Sequence, residues 1–413
     1  MDNRIYGLIG RTLKHSYSVP IHKMLGNEKY RLFELEPDEV EAFIKQQNLG
    51  GINVTIPYKK DALKCCDVLS PLAREIGCVN TVVRKADGMI HGYNTDAYGL
   101  GYMAEYAGIS FEGKKVLILG SGGSSLTAQA VAKNNGAKSV TVISRSGKDN
   151  YTNLEKHKDA QIIVNTTPVG MYPNVQVAPI NLRDFPMCEG VLDLIYNPMK
   201  TALLLQAEEL GIRHIDGLVM LVAQAKKADE FFFGREVDDS EIHRIVTALR
   251  REKYNIVLIG MPGCGKSTVG EELQKLTKRE LIDLDAEIIK VAGKPIPEIF
   301  ADGGEDAFRR IEAEVAHSAG MQSGKIIVTG GGIVTREENR ASLRQNGIVF
   351  HIERDINSLA RDGRPLSQNA DLREMYNTRI ALYEYFRDKV VYNNTTVQNT
   401  AQKILSLFNG EEE

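Results

Sequence analysis

The chain has no apolar run approaching the roughly 18 residues that a membrane-spanning helix requires, so a membrane protein is not expected. Its first residues, Met1-Asp-Asn-Arg-Ile-Tyr6, lack the charged-then-apolar order of a signal peptide. Cysteine is scarce. Cys65, Cys66, Cys78, Cys188 and Cys264 form no C-x-x-C pair, which argues against both a disulfide framework and a zinc site. These absences together point to a reducing cytoplasm. A net charge of −3 carries no basic excess, which argues against nucleic acid as a partner. Internal repeats and Gly/Ser-rich linkers are also missing. What is there is 413 residues with an ordinary hydrophobic share of 43%, enough for about three compact units at roughly 150 residues each.

The most informative stretch lies well past the middle. Gly260-Met-Pro-Gly263-Cys264-Gly265-Lys266-Ser267-Thr268 fits G-x-x-x-x-G-K-[ST], with an apolar strand from Ile256 to Ile259 before it and a helical pattern from Val269 to Leu276 after it. Glycines let backbone N–H groups wrap a phosphate, Lys266 reaches the outer phosphates and the Ser267 hydroxyl suits Mg²⁺. Leu281-Ile-Asp283-Leu-Asp285 reads as a strand whose alternation sets both carboxylates on one face. One would order Mg²⁺ water and the other would take a proton from an attacking hydroxyl. Phe308-Arg309-Arg310-Ile311-Glu312 opens an amphipathic helix, and a strand from Lys325 to Thr329 ends in Gly330-Gly331-Gly332, where a ligand can approach the backbone. Arg361-Asp-Gly-Arg364-Pro365 is basic and turn-rich, as a lid would be. Arg379 falls on the apolar stripe of a helix from Leu372 to Phe386 and needs an anion there, either a ligand or a buried Glu.

The long segment before this has its own signals. After a first strand, Ser16 and Ser18 at i and i+2 in an extended segment would present both hydroxyls on one side, fit to meet a carboxylate; helix capping ahead of Pro20 is the alternative. In Gly51-Ile-Asn53-Val-Thr55-Ile-Pro57-Tyr58-Lys59 a strand is closed by a proline, which suits the first turn of a helix. Lys59 would then sit at the positive end of the helix dipole, which lowers its pKa and fits it for proton exchange; a solvated Lys59–Lys60 pair is the other reading. Cys78-Val-Asn80-Thr81 and Asn94-Thr95-Asp96 are polar clusters beside apolar stretches, and Asp96 is a natural partner for Lys59.

Val116 to Leu119, then Gly120-Ser-Gly122-Gly123-Ser124-Ser125, then a helix from Leu126 to Asn134 make a dinucleotide-binding strand–turn–helix, although Ser125 stands at the third glycine position. Ser144-Arg145-Ser146 follows the next strand, Ser139 to Ile143, where an arginine suits a 2′-phosphate and hence NADP. Strands at Gln161 to Val164 and Gly190 to Asp193 also end in polar and turn residues, the end that faces the ligand crevice in open α/β sheets. From Gly217 the chain is helical, and Gln224 lies one turn from Met220, as a satisfied core amide or a ligand contact. A last helix, Ser240 to Arg251, runs almost directly into the strand ahead of the P-loop.

Taken jointly and in order, His15-Ser-Tyr-Ser18, Asn53 to Lys59, Val79-Asn-Thr81, Asn94-Thr-Asp96, the Gly120 loop, Asn165-Thr-Thr-Pro168 and Met220-Leu-Val-Ala-Gln224 resemble shikimate dehydrogenase. Residues from about 253 resemble shikimate kinase through Gly260 to Thr268, Asp283-Leu-Asp285, Phe308 to Glu312, Gly330-Gly-Gly332 and Arg364-Pro-Leu366. The double resemblance implies an α/β chain. A two-lobed dehydrogenase would take 1–104, completed by 216–252, for substrate and 105–215 as a Rossmann-type NADP lobe. A P-loop kinase with a parallel sheet would take 253–413. It further implies NADPH-dependent reduction of 3-dehydroshikimate and ATP- and Mg²⁺-dependent phosphorylation of shikimate. Ser16, Ser18, Thr55, Asn80, Tyr196 and Gln224 would hold the first substrate, Lys59 and Asp96 would serve proton transfer, and Gly120, Gly122, Gly123, Ser144, Arg145 and Gly217 would hold NADP. In the kinase, Gly263, Cys264, Gly265, Lys266, Ser267 and Thr268 would hold ATP, Ser267 and Asp283 the metal. Asp285 would serve the hydroxyl, Arg309, Gly331 and Arg379 would hold substrate, and Arg364 would close over the transferring phosphoryl group. Two alternatives stay open: a regulatory protein that binds the same metabolites without turnover, and quinate as a second dehydrogenase substrate.

Overall fold

A computed structural model describes residues 3–13, 16–359 and 372–411. The chain divides into two compact units, Met1–Asn197 with Leu203–Thr247, and Pro198–Ala202 with Ala248–Glu413. Both are α/β.

The first unit holds two sheets. Strands β1 (Ile5–Gly10), β2 (Tyr30–Glu34), β3 (Leu49–Val54), β4 (Val68–Leu69), β5 (Thr81–Arg84) and β6 (Ile90–Tyr93) form a mixed sheet in the order β2-β1-β3-β5-β6-β4. β1 pairs in parallel with β2 and β3, and β5 runs antiparallel to β3 and β6. All six residues of β3 are buried, as a strand covered on both faces must be, and its sequence carries no charge. Gly51 in this strand makes room for a ring: a Cβ there would stand 2.1 Å from Phe232.

The second sheet contains β7 (Lys115–Leu119), β8 (Ser139–Ile143), β9 (Ile162–Asn165), β10 (Gly190–Asp193) and β11 (Arg213–Ile215), all parallel, in the order β11-β10-β9-β7-β8. The helix after the Gly-rich turn runs Gly123–Asn134, starting three residues before Leu126. A first helical turn of Gly, Ser and Ser carries no apolar periodicity, so the pattern begins later than the helix does.

Two helices of this unit, Thr95–Tyr106 and Leu218–Phe233, pack closely. Gly99 permits this approach: a Cβ there would lie 2.6 Å from the Met220 carbonyl oxygen and 3.0 Å from Gln224 Cβ. Asn94 caps the first helix by accepting from the Ala97 N–H at 3.1 Å, which fixes where Asp96 emerges.

The second unit is built on one parallel sheet of β12 (Asn255–Ile259), β13 (Leu281–Asp283), β14 (Ile326–Val328), β15 (Gly347–Glu353) and β16 (Lys389–Tyr392), in the order β13-β14-β12-β15-β16. β12, at the centre, is buried throughout. The helix Lys266–Thr277 packs on the sheet through Gly270, whose Cβ would meet Val328 at 2.7 Å. The helix Ile296–Gly320 breaks at Gly304 (φ 70°, ψ −172°), so its second part begins shortly before Phe308. Among the described residues no helix is long and apolar enough to cross a membrane.

Gly99→Ala separates two effects. Within an isolated helix this change stabilises by up to about 1 kcal/mol. Here the added methyl meets a backbone carbonyl, so we expect a net loss of about 1–3 kcal/mol, read as an earlier denaturant transition of the first unit with the second unit's transition unmoved.

Candidate active sites

The first unit contains a cavity of about 520 Å³. Ser16, Ser18, Thr55, Lys59, Asn80, Asp96, Tyr196, Gly217 and Gln224 all line it. At its wall Lys59 Nζ donates to Asp96 Oδ2 at 2.6 Å, with the two side chains only 18% and 13% exposed. The helix Lys59–Lys64 begins at the lysine itself, so Pro57 lies ahead of it rather than in its first turn. The expected lowering of the Lys59 pKa is overturned. Burial does work against the ammonium, but the adjacent Asp96 carboxylate outweighs it and leaves the lysine above its ordinary value.

Asn80 is fixed by its neighbours. Its Oδ1 accepts from the Thr95 N–H at 2.7 Å and its Nδ2 donates to Thr95 Oγ1 at 3.1 Å. Gln224 is half-buried and faces the cavity; its Nε2 donates to the Leu221 carbonyl at 3.0 Å. Tyr196 packs beside Tyr17, with ring centroids 5.2 Å apart, and burial pushes its phenol above the ordinary range. The segment at Ser16–Ser18 is not extended. Ser18 opens the helix Ser18–Met24 and its N–H donates to Ser16 Oγ at 3.2 Å; the N-cap is Tyr17 and no side chain caps this helix, so the capping alternative is not met while both serines line the cavity. Gly217 brings the entry of the helix Leu218–Phe233 against a strand end, since a Cβ would lie 2.2 Å from the Leu194 carbonyl oxygen.

The glycine-rich turn stands at the end of β7. Gly120 has φ +103°, and a Cβ there would meet Thr166 Oγ1 at 2.8 Å. Around Gly122 and Gly123 there is open space where a Cβ would be, at the N-terminus of a 12-residue helix. Such a turn admits a pyrophosphate close to the backbone. The Gly120 N–H donates to the Ile143 carbonyl at 2.8 Å, which sets the turn beside the end of β8, where Ser144 and the exposed Arg145 follow.

The second unit has a cavity of about 570 Å³. Gly263, Gly265, Lys266, Ser267, Asp285, Arg309, Gly331 and Arg379 line it. The P-loop carries positive φ at Gly260, Gly263 and Gly265, which only glycine adopts without strain. Lys266 Nζ donates to the carbonyls of Gly260 and Met261 at 2.8 and 3.0 Å. Cys264 is fully buried and its carbonyl accepts from Asn393 Nδ2 at 2.8 Å, so it serves the loop through its backbone. Ser267 and Thr268 are exposed at the helix start.

The carboxylate pair is arranged otherwise than strand alternation suggests. β13 ends at Asp283, whose Oδ1 caps the helix Leu284–Ala292 by accepting from the N–H groups of Asp285 and Ala286. Asp285, in the first helical turn, lines the cavity; Asp283 is not among its lining residues. Arg309 is buried and held twice, to Glu312 Oε2 at 2.7 Å and Glu305 Oε1 at 3.0 Å. Burial works against its charge, and the two carboxylates outweigh it. Gly332 exists beside it because a Cβ would stand 2.1 Å from the guanidinium. Arg379 donates to the Gly331 carbonyl at 3.2 Å, and the Tyr383 hydroxyl donates to the same oxygen at 2.6 Å. Arg361 and Arg364 lie outside the described residues.

Sequence reasoning passed over Asn53, which lines the first cavity, and Glu312, Phe300 and Phe308, which line the second. Asn53 had a signal, a lone amide between Ile52 and Val54 in an apolar strand. Glu312 also had one, three residues after Arg309 on one helix face.

Fold and cavities define a nucleotide-dependent enzyme of two parts, an oxidoreductase with a dinucleotide-binding sheet and a P-loop phosphotransferase. Comparison with known proteins agrees. The family described as "Shikimate dehydrogenase substrate binding domain" matches residues 8–82 and the family "Shikimate kinase" matches residues 262–409. The NADP(+) shikimate dehydrogenase of Clostridium perfringens is 35% identical over 268 residues, 60% of this chain and 98% of that protein. That of Caldicellulosiruptor bescii is 38% identical over 258 residues, 55% and 88%. Among solved structures, a chorismate mutase/shikimate 5-dehydrogenase fusion protein from Clostridium acetobutylicum aligns with a TM-score of 0.57 at 34% identity, covering 60% of this chain and 96% of that one. Shikimate 5-dehydrogenase from Thermus thermophilus, solved with NADP(H) and shikimate, aligns with a TM-score of 0.54 at 28% identity, covering 59% and 99%. The chain belongs to the shikimate dehydrogenase family and carries a shikimate kinase domain behind it. It is an NADP-dependent oxidoreductase and a phosphotransferase.

The Lys59–Asp96 pair makes a pH prediction. A lysine held above its ordinary value keeps its proton, and the stabilisation from the pair, until pH rises through that raised value. Asp96→Asn removes the carboxylate that outweighs burial, so the Lys59 pKa should fall below the ordinary lysine value of about 10.4. We expect the basic limb of kcat/KM for NADPH oxidation to move to lower pH in Asp96→Asn; a limb that stays in place would show that Lys59 does not set it.

Proposed function

We propose that this chain catalyses two consecutive reactions, reduction of 3-dehydroshikimate to shikimate and phosphorylation of shikimate at its 3-hydroxyl. The observation that carries the reading is the 2.6 Å Lys59–Asp96 pair on the wall of a cavity that also presents Ser16, Ser18, Asn80 and Gln224.

In the dehydrogenase the hydroxyls of Ser16 and Ser18 meet the substrate carboxylate, and Asn80, Thr55, Tyr196 and Gln224 orient the ring. NADPH, when bound by Gly120, Gly122, Gly123, Ser144, Arg145 and Gly217, supplies the hydride. Lys59 gives its proton to the carbonyl oxygen as that oxygen takes on charge, and Asp96 holds the ammonium in place. In the reverse direction the same amine accepts the proton.

In the kinase the P-loop backbone from Gly263 to Thr268 and Lys266 receive ATP. Arg309 and Arg379 meet the substrate carboxylate beside Gly331, and Asp285 orients the hydroxyl and takes its proton. Arg364 is proposed to cover the phosphoryl group. Ser267, on the cavity wall, would hold Mg²⁺, and Asp283, whose Oδ1 caps the next helix outside the lining, would order water on the ion. Among the described residues there is no cluster of three or more His, Cys, Asp or Glu that could hold a metal. Bound at Ser267, Mg²⁺ would offset phosphate charge.

A coupled assay of the purified chain with 3-dehydroshikimate, NADPH, ATP and Mg²⁺ tests this. We expect both NADPH oxidation and ADP release. Lys59→Ala should slow reduction by about 10²–10⁴-fold with the kinase rate on added shikimate intact, and Lys266→Ala should abolish ADP release with NADPH oxidation intact. Binding of both metabolites without turnover of either would overturn the proposal in favour of a regulatory protein.

A further inference from the structure

The loop that follows β8 holds a carboxylate close to where Arg145 would meet a phosphate. We infer that His157 determines the NADP preference of the dehydrogenase: it holds the Asp149 carboxylate, which when free would repel a 2′-phosphate and accept from the ribose hydroxyl of NAD. The inference rests on the cofactor reading above and deepens it, from the residues that would touch NADP to one that keeps their loop fit for a phosphate.

The loop is closed by its own hydrogen bonds. The Ser144 N–H donates to the Asp149 carbonyl at 3.2 Å, which returns the chain to the end of β8. Gly147 lies inside this turn: a Cβ there would stand 2.5 Å from Ser144 Oγ and 3.1 Å from the Asp149 carbonyl oxygen. Two asparagines hold the loop carbonyls. Asn150 Nδ2 donates to Gly147 at 3.1 Å, and Asn153 Nδ2 donates to Lys148 at 3.0 Å. The asparagines are joined in turn, since the Asn150 N–H donates to Asn153 Oδ1 at 2.9 Å. Arg145, Ser146 and Lys148 are exposed on this frame. A loop fixed before its ligand arrives loses less entropy on binding.

Asp149 is at odds with the arginine. An acidic residue near the end of this strand is the group that takes the ribose hydroxyl of NAD, and a carboxylate set beside a bound phosphate is a costly meeting of like charges. The side chain is engaged instead. His157 closes the 3-10 helix Leu154–His157, and its Nε2 donates to Asp149 Oδ1 at 2.9 Å. A carboxylate only accepts, so that ring nitrogen carries the hydrogen. The histidine is 19% exposed and the aspartate 31%, so the bond is partly shielded from water. Asn153 is the N-cap of the same short helix. One element therefore holds both the backbone of the loop and the carboxylate that would spoil it.

The test is titration calorimetry of NADPH and of NADH into the full chain without substrate. In His157→Leu, which removes the donor, we expect the Kd for NADPH to rise about tenfold, the scale of one hydrogen bond to a charged group, while the Kd for NADH does not rise. In the double variant His157→Leu/Asp149→Asn the Kd for NADPH should return to within about twofold of the unmodified chain, because no charge is left to set free. A structural latch gives no such recovery. If His157→Leu does not fold, His157→Ser is read in the same way. An unmoved Kd for NADPH, equal losses toward both cofactors, or a loss that Asp149→Asn does not recover would overturn the inference. So would an unmodified chain that binds NADH as tightly as NADPH. An unmodified chain that binds neither would overturn the cofactor reading first, and this inference with it.

Discussion

The Lys59–Asp96 ion pair is the interaction on which the first half of the molecule turns. Two charges, each less than a fifth exposed, cost much to remove from water, and their attraction offsets that cost only in good geometry. The geometry comes from elsewhere in the fold. Asn94 caps the helix that carries Asp96, Gly99 lets that helix lie against the one that carries Gln224, and β3 delivers Lys59 at the start of a short helix. A buried pair of this kind is weak evidence of stability and stronger evidence of function. Its net effect is to keep a proton on the lysine, which fits the reductive direction.

The kinase unit solves a related problem with an arginine. Arg309 is a buried cation held by two carboxylates of its own helix, and burial also pushes the Glu312 carboxyl up against the pull of that guanidinium. Gly331 and Gly332 bring bare backbone against Pro262 of the P-loop and against Arg309, where any side chain would collide. Arg379 and Tyr383 both donate to the Gly331 carbonyl. The glycine run is therefore a packed junction joining the P-loop to Arg309 and Arg379, with its orientation set by hydrogen bonds from one helix.

Much of this was legible in the residues. The P-loop and the dinucleotide turn lie at the strand–helix junctions their motifs indicate, because each rests on local geometry: a strand, a turn of glycines, a helix start. The errors share one cause. Local rules let a helix dipole lower the Lys59 pKa, and set Asp283 and Asp285 on one strand face and Ser16–Ser18 in an extended run. A carboxylate 37 residues away reversed the first. Helix formation immediately after Asp283 and at Ser18 overrode the other two. Propensity and alternation are weak priors wherever a helix begins, since capping side chains decide the boundary.

The amino-acid sequence by itself determined that two anion-binding turns and two α/β units share one chain, since glycine, lysine and apolar periodicity act over a few residues. Tertiary structure alone decided which polar groups face a ligand and which stand behind them. Tyr30, His22 and Asp229 come from three separate elements and have no local pattern in common. They meet only because folding removes them from water together, and both His22 ring nitrogens and Asp229 Oδ1 are buried there without a hydrogen bond.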